Sequence, residues 1–89
     1  MSFTILVHPK AKKFTDKLDK EIKERIKNKI SELKEFPENR GKPLKYSNFW
    51  SLRVGDYRVI YEIDKSNNKV IILFIGHRKN VYDDFSKLF

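Results

Sequence analysis

The sequence predicts an α+β fold in which an antiparallel sheet carries an N-terminal helical hairpin on one face. The element order is β-α-α-β-β-β, followed by a short C-terminal helical tail. Three patterns predict this order: a short apolar segment at the start, two stretches of helical periodicity, and three alternating or apolar segments in the second half. At 89 residues the chain is short enough to form a single domain over residues 1–89.

The first half of the chain predicts one strand and two helices. Residues 3–8 are rich in aromatic and β-branched side chains, and Pro9 then presets the first turn of a helix. Asp19 is the predicted N-cap of a second helix, which ends at Phe36 because a residue before proline avoids the helical region. The helical spacing that carries these predictions lies in two apolar stripes: Ala11, Phe14 and Leu18, then Ile22, Ile26, Ile30 and Leu33.

The second half predicts a loop, three strands and a helical tail. Residues 38–47 hold Gly and Pro without an apolar period and predict a loop. Residues 50–54 and 57–63 alternate around the turn Gly55-Asp56 and predict a hairpin, with Arg53 and Arg58 facing away from its aromatic side.

The last strand and the tail follow this hairpin. Residues 70–75 are apolar at every position, as in a central strand that is covered on both faces. Residues 79–89 predict one or two short helical turns.

The charge balance favours an anionic partner. The chain has 20 Lys and Arg against 12 Asp and Glu, a formal net charge of +8. A surface rich in ion pairs is the alternative explanation, but it adds acids and bases together and leaves the excess of bases unexplained. Without cysteine the chain has no disulfide framework, zinc knuckle or thiol nucleophile, and its two histidines are isolated from any acid pair, so no metal site is expected. No segment approaches the ~20 apolar residues of a membrane span, and a cytoplasmic location is expected.

Basic and phenolic side chains are concentrated in the C-terminal half: Arg53, Arg58, His77, Arg78 and Tyr82. If the hairpin pairs as predicted and residues 70–75 add beside it, these side chains border one cleft. Such a set suits metal-free RNA cleavage, in which the 2′-hydroxyl attacks its own phosphate and cations stabilise the charge that develops. Each residue also has a structural explanation: a solvated strand arginine, a hydrogen-bonded histidine at a strand end, or a tyrosine that docks the tail.

Two segments resemble a known family. The sequence LRVGDYRVIYEI at residues 52–63, followed by GHRKNVY at residues 76–82, is similar to the signature of the RelE/ParE toxin superfamily. The resemblance extends over the whole chain, because the opening strand, the helical hairpin and the KPLK segment at residues 42–45 occur in the family's order.

The resemblance implies roles for individual residues. Arg58, Arg78 and Tyr82 match the family's catalytic positions, and no metal is implied. The auxiliary positions are Arg53 and His77, and the basic residues Lys45 and Lys79 are expected to contact RNA or the ribosome.

The chain departs from the RelE branch at two positions. That branch carries a Lys-x-Lys pair where this chain has Phe49 and Ser51. Either His77, Lys45 or Lys79 takes over proton transfer, or catalysis rests on positioning by the ribosome and on phosphate stabilisation.

The resemblance also implies a function and two partners. The expected function is that of a type II toxin that cuts mRNA in the A site of a 70S-type ribosome, and the expected inhibitor is a RelB-like acidic antitoxin whose extended chain wraps the toxin. The alternatives are a ParE-like toxin that inhibits gyrase and a non-catalytic module that binds RNA or antitoxin.

Overall fold

The structure, a computed structural model, describes residues 2–44 and 47–88 and has the predicted α+β architecture. Its described elements are β1 (Thr4–Val7), α1 (Pro9–Thr15), α2 (Lys20–Ser31), 3₁₀ turns at Glu32–Lys34 and Pro37–Asn39, β2 (Lys42–Pro43), β3 (Phe49–Val54), β4 (Tyr57–Asp64), β5 (Lys69–His77) and α3 (Val81–Leu88). The predicted strands, helical hairpin and helical tail are therefore confirmed.

The described strands form one sheet of five in the order β1-β5-β4-β3-β2. The pairs β2–β3, β3–β4 and β4–β5 are antiparallel, as predicted. β1 differs, because it runs parallel to β5 and makes the sheet mixed. Parallel pairing needs a long crossover between the two strands, and the helical hairpin lies within that connection. The apolar centre of β5 thereby gains a neighbour on each side.

The helical hairpin follows the predicted stripes with different boundaries. α1 ends at Thr15, so Leu18 lies beyond the helix. The hydroxyl of Thr15 donates back to the carbonyls of Ala11 and Lys12, at 3.0 and 2.9 Å. Asp19 occupies the N-cap position of α2 as predicted, although its side chain makes no capping hydrogen bond. Leu33 is fully buried, but it belongs to the 3₁₀ turn that follows α2.

Two apolar cores lie on opposite faces of the sheet. The first lies under α1 and α2 and includes Ile26 and Leu33, which are both fully buried. The second lies under α3, where Val81 and Phe85 pack on the other face. The side chains of β5 serve both cores, which confirms that it is a central strand covered on both faces.

The predicted loop at residues 38–47 has more structure than its composition suggests. It contains part of a 3₁₀ turn and the short edge strand β2. Lys45, one of the predicted RNA-binding residues, lies outside the described residues. Gly41 is required here because a Cβ atom would come within 2.6 Å of the carbonyl oxygen of Ser51 on β3.

Tyr61 links the sheet to the segment after the helical hairpin. It is fully buried, and its hydroxyl donates to the backbone carbonyl of Pro37 at 2.9 Å. Burial raises the pKa of Tyr61 to about 12, and a hydrogen bond with the backbone of Gly41 acts in the opposite direction. The neutral phenol is therefore part of the folded state.

Tyr61→Phe should destabilise the fold by about 1–3 kcal/mol at neutral pH, because the buried Pro37 carbonyl loses its donor. The wild-type advantage should shrink as the pH rises from about 10, the ordinary pKa, towards about 12, because the folded state holds the Tyr61 proton more tightly than the unfolded chain does. Urea unfolding of both proteins across this pH range measures the difference, and lysine ionisation affects both alike. A difference that stays constant with pH would contradict the account.

Candidate functional site

A basic cleft lies at the end of the sheet where β4 begins and β5 ends. Arg53 on β3 pairs directly with Arg58 on β4, and Arg58 pairs with Gly76 on β5. Directly paired residues of neighbouring strands point to the same face of the sheet, so Arg53 and Arg58 lie together on the face that α3 covers. This confirms that the two arginines face away from the apolar residues that pack under the helical hairpin.

The turn between β3 and β4 holds two of the arginines in place. Gly55 has a left-handed backbone with φ of 60°, which glycine adopts without strain, and its carbonyl accepts from Nε of Arg53 at 3.1 Å. The next carbonyl, that of Asp56, accepts from the backbone N–H of Arg78 at 2.8 Å. Nε of Arg78 also lies 3.6 Å from the Asp56 carboxylate, an exposed pair of small energetic weight. The turn thus joins the end of β5 to the β3–β4 hairpin.

The cleft has a volume of about 420 Å³ and is open to solvent. The described side chains that line it are Arg53, Arg58, Arg78, Lys79 and Tyr82. Four of these are cations and none is a carboxylate, and the two arginines directly opposite each other repel. Such a surface is complementary to an anion, and guanidinium groups can hold two oxygens of one phosphate.

Ser51 lies beneath the cleft and contacts two of its members. Its side chain is on the same face of β3 as Arg53, and the residue is only 2% exposed. Nη1 of Arg58 donates to its hydroxyl oxygen at 3.2 Å, and the Tyr82 hydroxyl lies 3.1 Å from the same atom. The sequence identified Ser51 only as a departure from the family pattern. The sequence did contain a signal for the placement of Ser51 beneath the cleft. Ser51 lies two residues before Arg53 on one strand, so both side chains point to the same face.

His77 does not reach the cleft. It pairs with Tyr57, and the two rings contact edge to face with centroids 5.8 Å apart, on the face of the helical hairpin. Its Nδ1 accepts the backbone N–H of Lys79 at 3.2 Å. The structure therefore separates His77 from Arg58 and Tyr82, while it places Lys79 at the cleft.

α3 brings Tyr82 to the cleft through a close approach to β5. A Cβ atom on Gly76 would lie 3.1 Å from Cγ2 of Val81, so glycine is what allows the helix to approach. Further along α3, the ring of Phe85 contacts that of Phe49 edge to face, with centroids 5.2 Å apart. The contact of Val81 with β5 and the ring contact of Phe85 thus fix the helix. Tyr82 remains 42% exposed.

Among residues 2–44 and 47–88, no group of three or more His, Asp or Glu side chains could hold a metal ion. No helix in that part of the chain is long and apolar enough to cross a membrane.

Comparison with known proteins gives a consistent relationship. Residues 5–82 match the family model described as the ParE toxin of the type II toxin–antitoxin system parDE. Toxin RelG of Mycobacterium tuberculosis is 36% identical over 55 residues, which are 60% of this chain. The aligned part spans 63% of the length of Toxin RelG.

Solved structures of toxins have the same fold. The toxin–antitoxin complex RelBE2 from M. tuberculosis matches with a TM-score of 0.80 and 30% identity, covering 88% of this chain and 93% of the other. The free RelE toxin of E. coli, in a mutant form, matches with a TM-score of 0.78 and 24% identity, covering 99% and 98%. The family match over residues 5–82, together with the 30%-identical RelBE2 structure, shows that the chain is a toxin of the RelE/ParE superfamily of type II toxin–antitoxin systems.

Proposed function

We propose that this toxin is an endoribonuclease that cuts mRNA in the ribosomal A site and so inhibits translation in the cytoplasm. The observation that carries the proposal is the cleft of Arg53, Arg58, Arg78, Lys79 and Tyr82, in which the described side chains supply cations and a phenol without a carboxylate. A phosphodiester with its two anionic oxygens is complementary to this set.

The reaction uses a nucleophile that the RNA itself supplies. The 2′-hydroxyl loses its proton as its oxygen attacks the adjacent phosphorus, and negative charge builds on the phosphorane oxygens. The bond to the 5′ oxygen then breaks as that oxygen takes up a proton, which leaves a 2′,3′-cyclic phosphate and a 5′-hydroxyl. Arg58 and Arg78 stabilise that charge, and Arg53 adds to the positive field from the facing strand. Tyr82, whose phenol lines the same cleft, contacts the phosphate.

Proton transfer is divided between the cleft and the ribosome in this proposal. Of the three alternatives for proton transfer, Lys79 lines the cleft, whereas Lys45 lies outside the described residues. His77 faces Tyr57 on the other side of the sheet. Positioning of the 2′-hydroxyl by the ribosome then supplies a large part of the rate, because alignment of bound reactants can lower a barrier by several kcal/mol.

The family match also supports a second candidate, a ParE-like toxin that inhibits gyrase, since the matching family model is that of ParE. The two candidates differ in what the cleft does. Phosphate chemistry requires the arginines, whereas protein binding alone gives no reason for two arginines to stand directly opposite each other. A non-catalytic module that binds RNA or antitoxin is the third candidate.

Arg58→Ala and Arg78→Ala should each lower mRNA cleavage by about 10²–10³-fold and abolish growth arrest, because each removes charge stabilisation worth about 2.7–4 kcal/mol. Arg40→Ala is the matched control, since Arg40 is exposed, its side chain donates to the carbonyl of Glu35, and it is not among the described residues that line the cleft. Cleavage by purified ribosomes with each variant measures the effect, and thermal unfolding checks the fold. Full activity in a folded Arg58 or Arg78 variant would refute the assignment.

Purified toxin should cut ribosome-bound mRNA within codons and free RNA poorly, because the described cleft offers no well-placed general base. Cutting should persist in excess chelator when ribosomes have been assembled beforehand with their magnesium. Primer extension on both substrates, together with a gyrase supercoiling assay, separates the candidates. Efficient cutting of free RNA argues against the ribosome's role, gyrase poisoning without RNA cutting supports the ParE-like alternative, and neither activity supports the binding module.

The partner we propose is a RelB-like acidic antitoxin. RelBE2, one of the matching structures, is itself a toxin–antitoxin complex. On this chain an apolar groove of about 360 Å³ runs between β1 and the helical hairpin, with Val7, Ile26 and Ile30 among its lining residues. Lysines border it: Lys12, Lys23, Lys27 and Lys34. An amphipathic segment with acidic flanks is complementary to this groove.

Lys12→Glu combined with Lys27→Glu should slow antitoxin association and weaken its dependence on salt, because opposite charges steer the encounter. Lys42→Glu, which reverses a charge on β2 at the other edge of the sheet, should have a smaller effect. Stopped-flow association at several ionic strengths provides the measurement. Equal rates for the double variant and the Lys42 control would exclude the groove as the docking surface.

A further inference from the structure

We infer that Ser51 is a positioning residue that makes the Tyr82 hydroxyl a hydrogen-bond donor to the phosphate in the cleft. The inference rests on the proposed function and adds a residue to it. Ser51 stands at a position where the RelE branch carries a lysine, so its role in this chain has to be derived from its own contacts.

The direction of the hydrogen bonds follows from the chemistry of the groups. A guanidinium only donates, so the Ser51 oxygen is the acceptor in its 3.2 Å contact with Nη1 of Arg58. The Ser51 hydroxyl retains one hydrogen, and the residue is 2% exposed, which leaves little access for water. The Tyr82 oxygen, 3.1 Å away, is the partner that the described residues offer for this hydrogen. Ser51 therefore donates to Tyr82.

The hydrogen bond from Ser51 determines the direction in which the Tyr82 hydroxyl points its own hydrogen. Its oxygen already accepts from Ser51, and its side chain is 42% exposed at the cleft, so its O–H is free to point towards solvent or a bound anion. Without Ser51 the phenol could equally accept a hydrogen bond in the cleft. The chain of contacts Arg58 to Ser51 to Tyr82 thus makes every described lining residue of the cleft a donor.

The position of Ser51 is rigid, which such a role requires. Its backbone is paired on both sides, with Lys42 of β2 and Ile60 of β4. Gly41 lies against its carbonyl so closely that no side chain would fit between them. A hydroxyl fixed in the middle of a sheet holds its partners with little loss of conformational freedom on binding.

The test compares Ser51→Ala, Ser51→Thr, Tyr82→Phe and the double variant Ser51→Ala with Tyr82→Phe. In single-turnover cleavage of ribosome-bound mRNA we expect Ser51→Ala to be about 10- to 100-fold slower while its affinity for an uncleavable 2′-deoxy message stays within about twofold. Ser51→Thr keeps the hydroxyl and should recover most of the rate. The double variant should be no slower than Tyr82→Phe, because both changes break the same contact. Ser86→Ala is the control, since Ser86 on α3 donates only to Asp83 in its own helix.

A second measurement does not depend on nuclease activity. Titration of the free toxin with inorganic phosphate, followed through the Tyr82 ring resonances, should give weaker binding for Ser51→Ala than for the wild type and Ser51→Thr. If the wild type does not cut mRNA, the proposed function fails, and this titration still decides the role of Ser51. Wild-type cleavage and phosphate affinity in a folded Ser51→Ala protein would overturn the inference. So would strictly additive effects in the double variant, which indicate that Ser51 acts apart from Tyr82.

Discussion

An extra residue in β5 determines which side chains meet at the end of the sheet. Ile60 pairs with Phe74 and Tyr61 pairs with Ile72, so Leu73 between them has no partner on β4. The alternation of β5 shifts by one position at this bulge, and Leu73 and Phe74 both join the core under α3. A regular strand would turn the next residues the other way.

The bulge determines which side chains of β5 face the cleft. Beyond it Gly76 shares a face with Arg58, and His77 shares a face with Tyr57. In a regular strand His77 would face the cleft, and Gly76 would face the helical hairpin. The bulge therefore puts Gly76, which has no side chain, where His77 would otherwise face the cleft. α3 occupies the space that this leaves, with Val81 against Gly76. The placement of Tyr82 depends on this close approach.

The two positions that depart from the RelE pattern have a common role in this chain, because both hold α3. Phe49 contacts the ring of Phe85, and Ser51 bonds to the Tyr82 hydroxyl. A pair of lysines there would add two charges beneath a cleft that is already cationic, whereas the neutral residues bind the helix. Both side chains thus contribute to the docking of the C-terminal helix.

The sequence predicted the elements because their signals are local. The apolar stripe around Ile26, the Gly55 turn and the continuous apolar run of β5 each specify structure within a few residues, and each is confirmed. The parallel pairing of β1 and the bulge at Leu73 were not predictable in this way, since both depend on contacts between distant segments. For the same reason, the alternation of side chains along β5 could not predict that His77 and Arg58 lie on opposite faces of the sheet. The convergence of Arg58 and Arg78 followed from the strand order, but the part played by Ser51 required the position of α3.

Two of the cleft's cations, Arg53 and Arg58, are oriented by contacts that do not neutralise them. Arg53 donates to a backbone carbonyl and Arg58 to a hydroxyl, both of which are uncharged acceptors. Arg78 differs, because its Nε lies 3.6 Å from the exposed Asp56 carboxylate, and Lys23 and Lys29 on the helical hairpin also form ion pairs with acidic neighbours. A neutral acceptor fixes the direction of a guanidinium and leaves its charge available, so the repulsion between the paired arginines is relieved only when an anion enters. The two apolar cores stabilise the fold in spite of this repulsion, and the phosphate of a bound mRNA would offset it. In the function proposed for this toxin, catalysis therefore draws on the cations of the cleft, whereas antitoxin binding draws on the lysines beside the helical hairpin.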